Sequence, residues 1–90
     1  MKYTTNTLKK LEELLQQLAY TVRYEKGNFQ SGYCIVEHRK IVIVNKFFET
    51  EARINSLIDI ISTIPIEVNL TDEQQKWYNA AMQQYSAKTT

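Results

Sequence analysis

Hydrophobic positions recur first at helical, then at strand, then again at helical spacing. Leu8, Leu11, Leu15 and Leu18 are three or four residues apart, with Lys9, Lys10, Glu12, Glu13, Gln16 and Gln17 between them. This is the pattern of an amphipathic helix. Thr5, Asn6 or Thr7 offers the side-chain oxygen that caps its free amides. From Ala19 to Tyr24 the residues become β-branched and aromatic, and Lys26-Gly27-Asn28 supplies turn chemistry. The reading is a first hairpin, with a second strand over Phe29 to Glu37. A tight polar connection at His38-Arg39 then leads to a third strand, Lys40 to Asn45.

Ile41-Val42-Ile43-Val44 is apolar at four consecutive positions, so both faces of the third strand are expected to be at least partly covered, by helices or by another chain. Phe47 and Phe48 lead into a second helix that starts near Glu49 or Thr50. Its apolar face is Ile54, Leu57, Ile58 and Ile61, and Pro65 limits it. Ile66, Val68 and Leu70 alternate with polar residues and read as a short extended segment. Thr71-Asp72-Glu73-Gln74 is a capping-box pattern that opens a third helix running to about Tyr85. The expected fold is a single α+β domain over residues 1–90. A three-stranded antiparallel meander packs against helices in the order αβββαα, with residues 1–4 and 86–90 frayed.

Ninety residues hold one modest core. Eleven basic against ten acidic residues leave a formal charge of +1, too little to attract nucleic acid or an anionic membrane at long range. One cysteine forms no internal disulfide, which points to a reducing, cytoplasmic setting; the chain as a whole is read as a bacterial protein. Neither a signal peptide nor a membrane span is expected from the apolar runs.

The chemistry-bearing residues are few. The chain has one His and one Cys, whereas a catalytic zinc needs three protein ligands. Cys34 and His38 lie about 13 Å apart in extended geometry at roughly 3.3 Å per residue. Cys34 therefore reads as a small buried hydrophobe and His38 as an exposed turn residue, and neither a metal site, a catalytic residue nor a cofactor is expected. Asp59, beside the apolar face, reads as an exposed residue or a backbone cap rather than a proton-transfer group. The nearest charged partner for Arg53 is Glu49, one helical turn back. Lys26 to Tyr33 echoes an RNA-binding strand with its aromatics out of phase. Gly27 is read as a hairpin turn and Gly32 as a bulge or a point of close backbone approach.

Aromatic surface is plentiful. Trp77, Ala81 and Tyr85 share one stripe of the third helix, flanked by Tyr78 and Met82. These five either close the core or anchor a partner.

Ile43-Val44-Asn45 followed by Arg53 to Ser62 resembles the strand end and helix of the ImmA/IrrE-type zinc metallopeptidases, in which an I-x-I-N strand precedes an arginine and a His-Glu-x-x-His helix. The likeness spans about Gly32 to Ile64, a third of the chain. Here Ile58 and Ser62 stand at the two histidine positions and Asp59 at that of the glutamate. The resemblance implies a shared scaffold without the metal chemistry, and a cleft bordered by Arg53, Asn55, Asp59 and Ser62.

The function read from the sequence is a non-enzymatic binding or protein-interaction module, acting on a protein partner or on itself as a homodimer. The alternatives are a degenerate peptidase-like domain that binds peptide, and a weak nucleic-acid binder. The last would need Arg23, Lys26, Arg39, Lys40 and Lys46 on one face.

Overall fold

The computed structural model describes the backbone of residues 1–29, 31–36 and 38–89, and the side chains of these except at 33–36, 88 and 89. Among them lie, in chain order, α1 (Thr5–Gln17), β1 (Tyr20–Glu25), β2 (Gly32–Val36), β3 (Arg39–Asn45), α2 (Thr50–Thr63) and α3 (Asp72–Thr89).

Helix α1 is capped one residue earlier than expected. Thr4, in extended conformation, accepts a hydrogen bond from the Thr7 amide at 3.2 Å, while Thr5, Asn6 and Thr7 form the first turn. At the other end Ala19 takes the left-handed conformation, φ 67°, directly after the C-cap Leu18. Glycine is the usual occupant of that position because it has no Cβ to clash. Helix α2 stops at Thr63, ahead of Pro65, and its Ile54, Leu57, Ile58 and Ile61 are all buried. The capping box of α3 forms reciprocally: Gln74 N donates to Thr71 Oγ1 at 3.1 Å, and Thr71 N to Gln74 Oε1 at 2.9 Å. This helix runs on past Tyr85 to Thr89. Residues 64–71 form no strand. Ile66 and Val68 are exposed, and Leu70 packs partly on the core.

The sheet corrects the expected antiparallel meander. Its strand order is β1-β3-β2, and β1 runs parallel to β3 in a register from Tyr20↔Lys40 to Glu25↔Asn45. Strand β2 pairs antiparallel on the far edge of β3, from Gly32↔Ile43 to Val36↔Arg39. The expected first hairpin is therefore absent, and Lys26-Gly27-Asn28 begins a crossing from one edge of the sheet to the other. The fold remains α+β. Side-chain character accounts for the order: β3 carries four consecutive β-branched residues and takes the centre. β1 alternates with Thr21, Arg23 and Glu25, charged and polar side chains that suit a solvent-facing edge.

Successive strand residues point to opposite faces. Tyr20, Val22 and Tyr24 share one face with Val42 and Val44, and this face meets the helices. Helix α1 lies on β1, and α2 on β3 and β2. Helix α3 packs on α1 and α2 and, among the described residues, not on the sheet. Leu11, Leu14, Leu15, Ile54, Leu57, Ile58 and Ile61 fill the centre between the layers. On the opposite face Ile41 and Ile43 are partly buried, and no described element covers them. Gly32, paired with Ile43, continues the regular ladder, and a Cβ built on it would meet nothing within 4 Å. Among the described residues neither a bulge nor a close backbone explains that glycine. The expected burial of Cys34 falls outside the described side chains.

Ala19→Gly should stabilise the chain by about 1 kcal/mol, the cost of holding an L-residue in the left-handed region. Urea denaturation is the check, and an unchanged or lowered midpoint would contradict the cap geometry.

Candidate functional site

In open sheets with parallel strands, ligands gather outside the carboxyl ends of the strands. Here the carboxyl ends of β1 and β3 receive the crossing segment that leads to β2 and the turn from Lys46 to Glu49 that leads to α2. Asn45, the last residue of β3, is buried and joins these parts. Its Nδ2 donates to the carbonyls of Gly27 at 3.0 Å and Phe29 at 2.7 Å, and its Oδ1 accepts from the Phe47 amide at 3.0 Å. The Asn45 amide donates to Ser31 Oγ at 3.0 Å. An asparagine suits this place because one planar group offers both donors and an acceptor. At Gly27 an added Cβ would come within 2.8 Å of the Phe29 ring.

Arg53 braces the second connection. From the second turn of α2 its Nε donates to the Phe48 carbonyl at 2.7 Å and its Nη2 to the Lys46 carbonyl at 2.8 Å. Its guanidinium also lies 5.0 Å from the centroid of the Tyr24 ring, a cation–π distance. The link to Glu49 is made by backbone, Arg53 N to Glu49 O at 2.9 Å, while the guanidinium serves the two loop carbonyls. The Tyr24 hydroxyl in turn donates to the Glu12 carboxylate of α1. Burial, and then Glu12, hold the Tyr24 phenol well above the ordinary tyrosine range, with Arg53 acting weakly in the other direction.

The residues expected to border a cleft do not converge. Arg53 lines a hollow of about 540 Å³ with Phe48, Glu49, Thr50 and Glu51. Asp59, exposed, lines a separate hollow of about 320 Å³ with Ser31, Phe48, Ser56, Ile60 and Thr63. Asn55 accepts from the Tyr3 hydroxyl at 3.2 Å, on a different side of the helix, and Tyr3 itself accepts from Gln84 at 3.0 Å. The Ser62 hydroxyl turns back to the Asp59 carbonyl at 2.5 Å. Ile58 belongs to the core.

On α3, Ala81 is buried, and Tyr78, Met82 and Tyr85 pack partly against the core. Trp77 is partly buried and lines a hollow of about 340 Å³ with Met1, Thr4 and Thr7 at the start of the chain. Most of the aromatic stripe thus closes the third layer. The basic residues are divided: Arg23 is paired with Glu25 at 2.8 Å on the face opposite the helices, whereas Lys40 lies over the Tyr20 ring at 5.5 Å on the helix face. Among the described residues no group of three His, Cys, Asp or Glu side chains is placed to hold a metal ion, and no helix is long and apolar enough to cross a membrane.

No protein-family model matches the chain, and no curated protein or solved structure is significantly similar to it.

Three features escape a reading of the sequence: the bridging role of Asn45, the Glu12–Tyr24–Arg53 chain, and Phe47, which is 68 % exposed. An asparagine ending an apolar strand, and two adjacent phenylalanines in a short connection, are the available signals.

Two outcomes are expected. Asn45→Asp keeps the acceptor for Phe47 but sets a carboxylate against two carbonyls, so it should cost about 1–3 kcal/mol in chemical denaturation. Because the folded chain holds the Tyr24 proton more tightly than the unfolded one, that contribution is complete below about pH 10 and is lost as pH rises further. Tyr24→Phe should therefore show a flatter stability profile above about pH 10 than the wild type, and superimposable slopes would contradict the assignment.

Proposed function

We propose that the chain is a small, non-enzymatic, cytoplasmic protein-interaction module. The observation that carries this reading is the uncovered sheet face. All-parallel sheets are as a rule covered on both faces, and in this mixed sheet the parallel pair β1 and β3 has the described helices on one side. Ile41 and Ile43 lie on the other side, beside the open space at Gly32. Apolar side chains left partly exposed on one sheet face suit an interaction surface, and a second polypeptide's backbone approaching Gly32 accounts for a glycine that no described residue of this chain explains.

The polar side chains at the carboxyl end support the non-enzymatic part of the reading. Asn45, Arg53, Tyr24 and Glu12 are engaged with backbone carbonyls or with one another, and each holds two parts of the scaffold together. The cytoplasmic assignment follows from the single cysteine. A second copy of the chain is the occupant tested first, since the formal charge of +1 opposes self-association only weakly.

Replacing Ile41 and Ile43 together by threonine keeps β-branched residues at both positions. The wild type should sediment as a concentration-dependent dimer and the double variant as a folded monomer. A wild type that stays monomeric at millimolar concentration, and binds a hydrophobic dye no better than the variant, overturns the reading.

A further inference from the structure

Phe47 is the most exposed of the large hydrophobic side chains described, yet the turn that carries it is tied down on every side. The Lys46 amide donates to the Glu25 carbonyl at 2.8 Å, the Phe47 amide to Asn45 Oδ1 at 3.0 Å, and the Phe48 amide to the Asn45 carbonyl at 3.1 Å. Arg53 then takes the Lys46 and Phe48 carbonyls. The backbone from Lys46 to Phe48 is thus fixed by groups from β1, β3 and α2. A mobile loop loses freedom when it binds, whereas a turn built in this way has already given it up, which is the basis of preorganised recognition. Phe48, by contrast, is partly buried between two hollows, so of the adjacent rings it is Phe47 that the turn presents outward.

The charges that follow Phe47 along the chain bear on the kind of partner. Glu49 and Glu51 are exposed directly after it, whereas Arg53, the nearest cation along α2, is turned inward onto the two carbonyls and the Tyr24 ring. Lys46 is the one adjacent cation in the turn. We propose that Phe47 is a preorganised anchor that inserts into a concave apolar pocket of a protein partner whose rim carries lysine or arginine facing Glu49 and Glu51. Insertion of one aromatic ring into a desolvated pocket, surrounded by weaker polar contacts, is the usual layout of an interaction hot spot. The paired carboxylates act against docking on an anionic bilayer. The inference is independent of the sheet face, since it uses the turn beyond β3 and none of the residues on that face.

The test uses the full chain with the photoreactive analogue p-benzoylphenylalanine at position 47, and at Val68, also apolar and exposed, as a control. The expected result is one protein cross-linked from position 47 and not from position 68. Purified, that protein should bind the wild-type chain, with affinity at least about tenfold weaker for Phe47→Ala and reduced for Glu49→Gln/Glu51→Gln. Thermal stability should be unchanged in Phe47→Ala and lowered slightly in Glu49→Gln/Glu51→Gln, which takes two carboxylates from the N-terminus of α2, and binding should persist in Ile41→Thr/Ile43→Thr. The proposal is overturned by any of four results. These are absence of a cross-link at 47, affinity insensitive to both sets of substitutions, a loss of stability in Phe47→Ala that makes the ring structural, or binding lost only in the sheet-face variant. Phe47-dependent binding to phosphatidylcholine–phosphatidylserine vesicles in place of a protein would overturn it equally.

Discussion

The structure depends on the carboxamide of Asn45. A chain that carries β2 past β3 to the far edge must take a connection across the end of the central strand, and the backbone of that connection leaves carbonyls at a partly buried place. Unpaired, each would cost the desolvation of a polar group. The Asn45 side chain takes two of them, at Gly27 and Phe29, while its oxygen receives the amide of Phe47 on the next connection. One residue thereby holds both the route into the sheet and the route out of it. Leucine or valine at the same position would fill the space and leave all three groups unpaired.

Arg53 and Tyr24 extend that junction into the helical layer. The guanidinium closes the Lys46–Phe48 turn and covers one face of the Tyr24 ring, and the Tyr24 hydroxyl reaches Glu12 on α1. Sheet, α2 and α1 are coupled through a single run of polar contacts beside an apolar core. Side chains committed in this way resist reorganisation. Through the same contacts an arginine, a tyrosine, a glutamate and an asparagine near the carboxyl end of the parallel strands join the two connections to the helical layer.

Layering accounts for the surfaces that remain. Helix α3 packs on α1 and α2 and uses Ala81, Tyr78, Met82 and Tyr85 to do so, so that no described element covers the far side of the sheet. A chain of this length has one core to fill, and that core lies between the sheet and α1 and α2. Ala81 is buried there and Tyr78, Met82 and Tyr85 are partly buried against the core, while Trp77 borders a hollow beside the start of the chain. Phe47 is left exposed, and Ile41 and Ile43 are only partly buried.

The helices were legible in the sequence because their determinants are local. Apolar spacing marked Leu8 to Leu18 and Ile54 to Ile61, Thr71 and Gln74 marked the start of α3, and Pro65 marked a limit. Each involves residues within a turn or two of one another, so neighbours along the chain are enough. The strands themselves were legible from their β-branched runs, but their partners were not. Pairing β1 with β3 sets contacts about twenty residues apart, and the preference for the parallel arrangement comes from burying β3 centrally and from the connection that Asn45 secures. The same reason separates the two kinds of site residue. That Arg53 and Asp59 lie on one helix followed from spacing; that Arg53 turns to the loop carbonyls, Asn55 to Tyr3 and Asp59 to another hollow was decided by which elements packed on each side of α2, which only the tertiary structure determines.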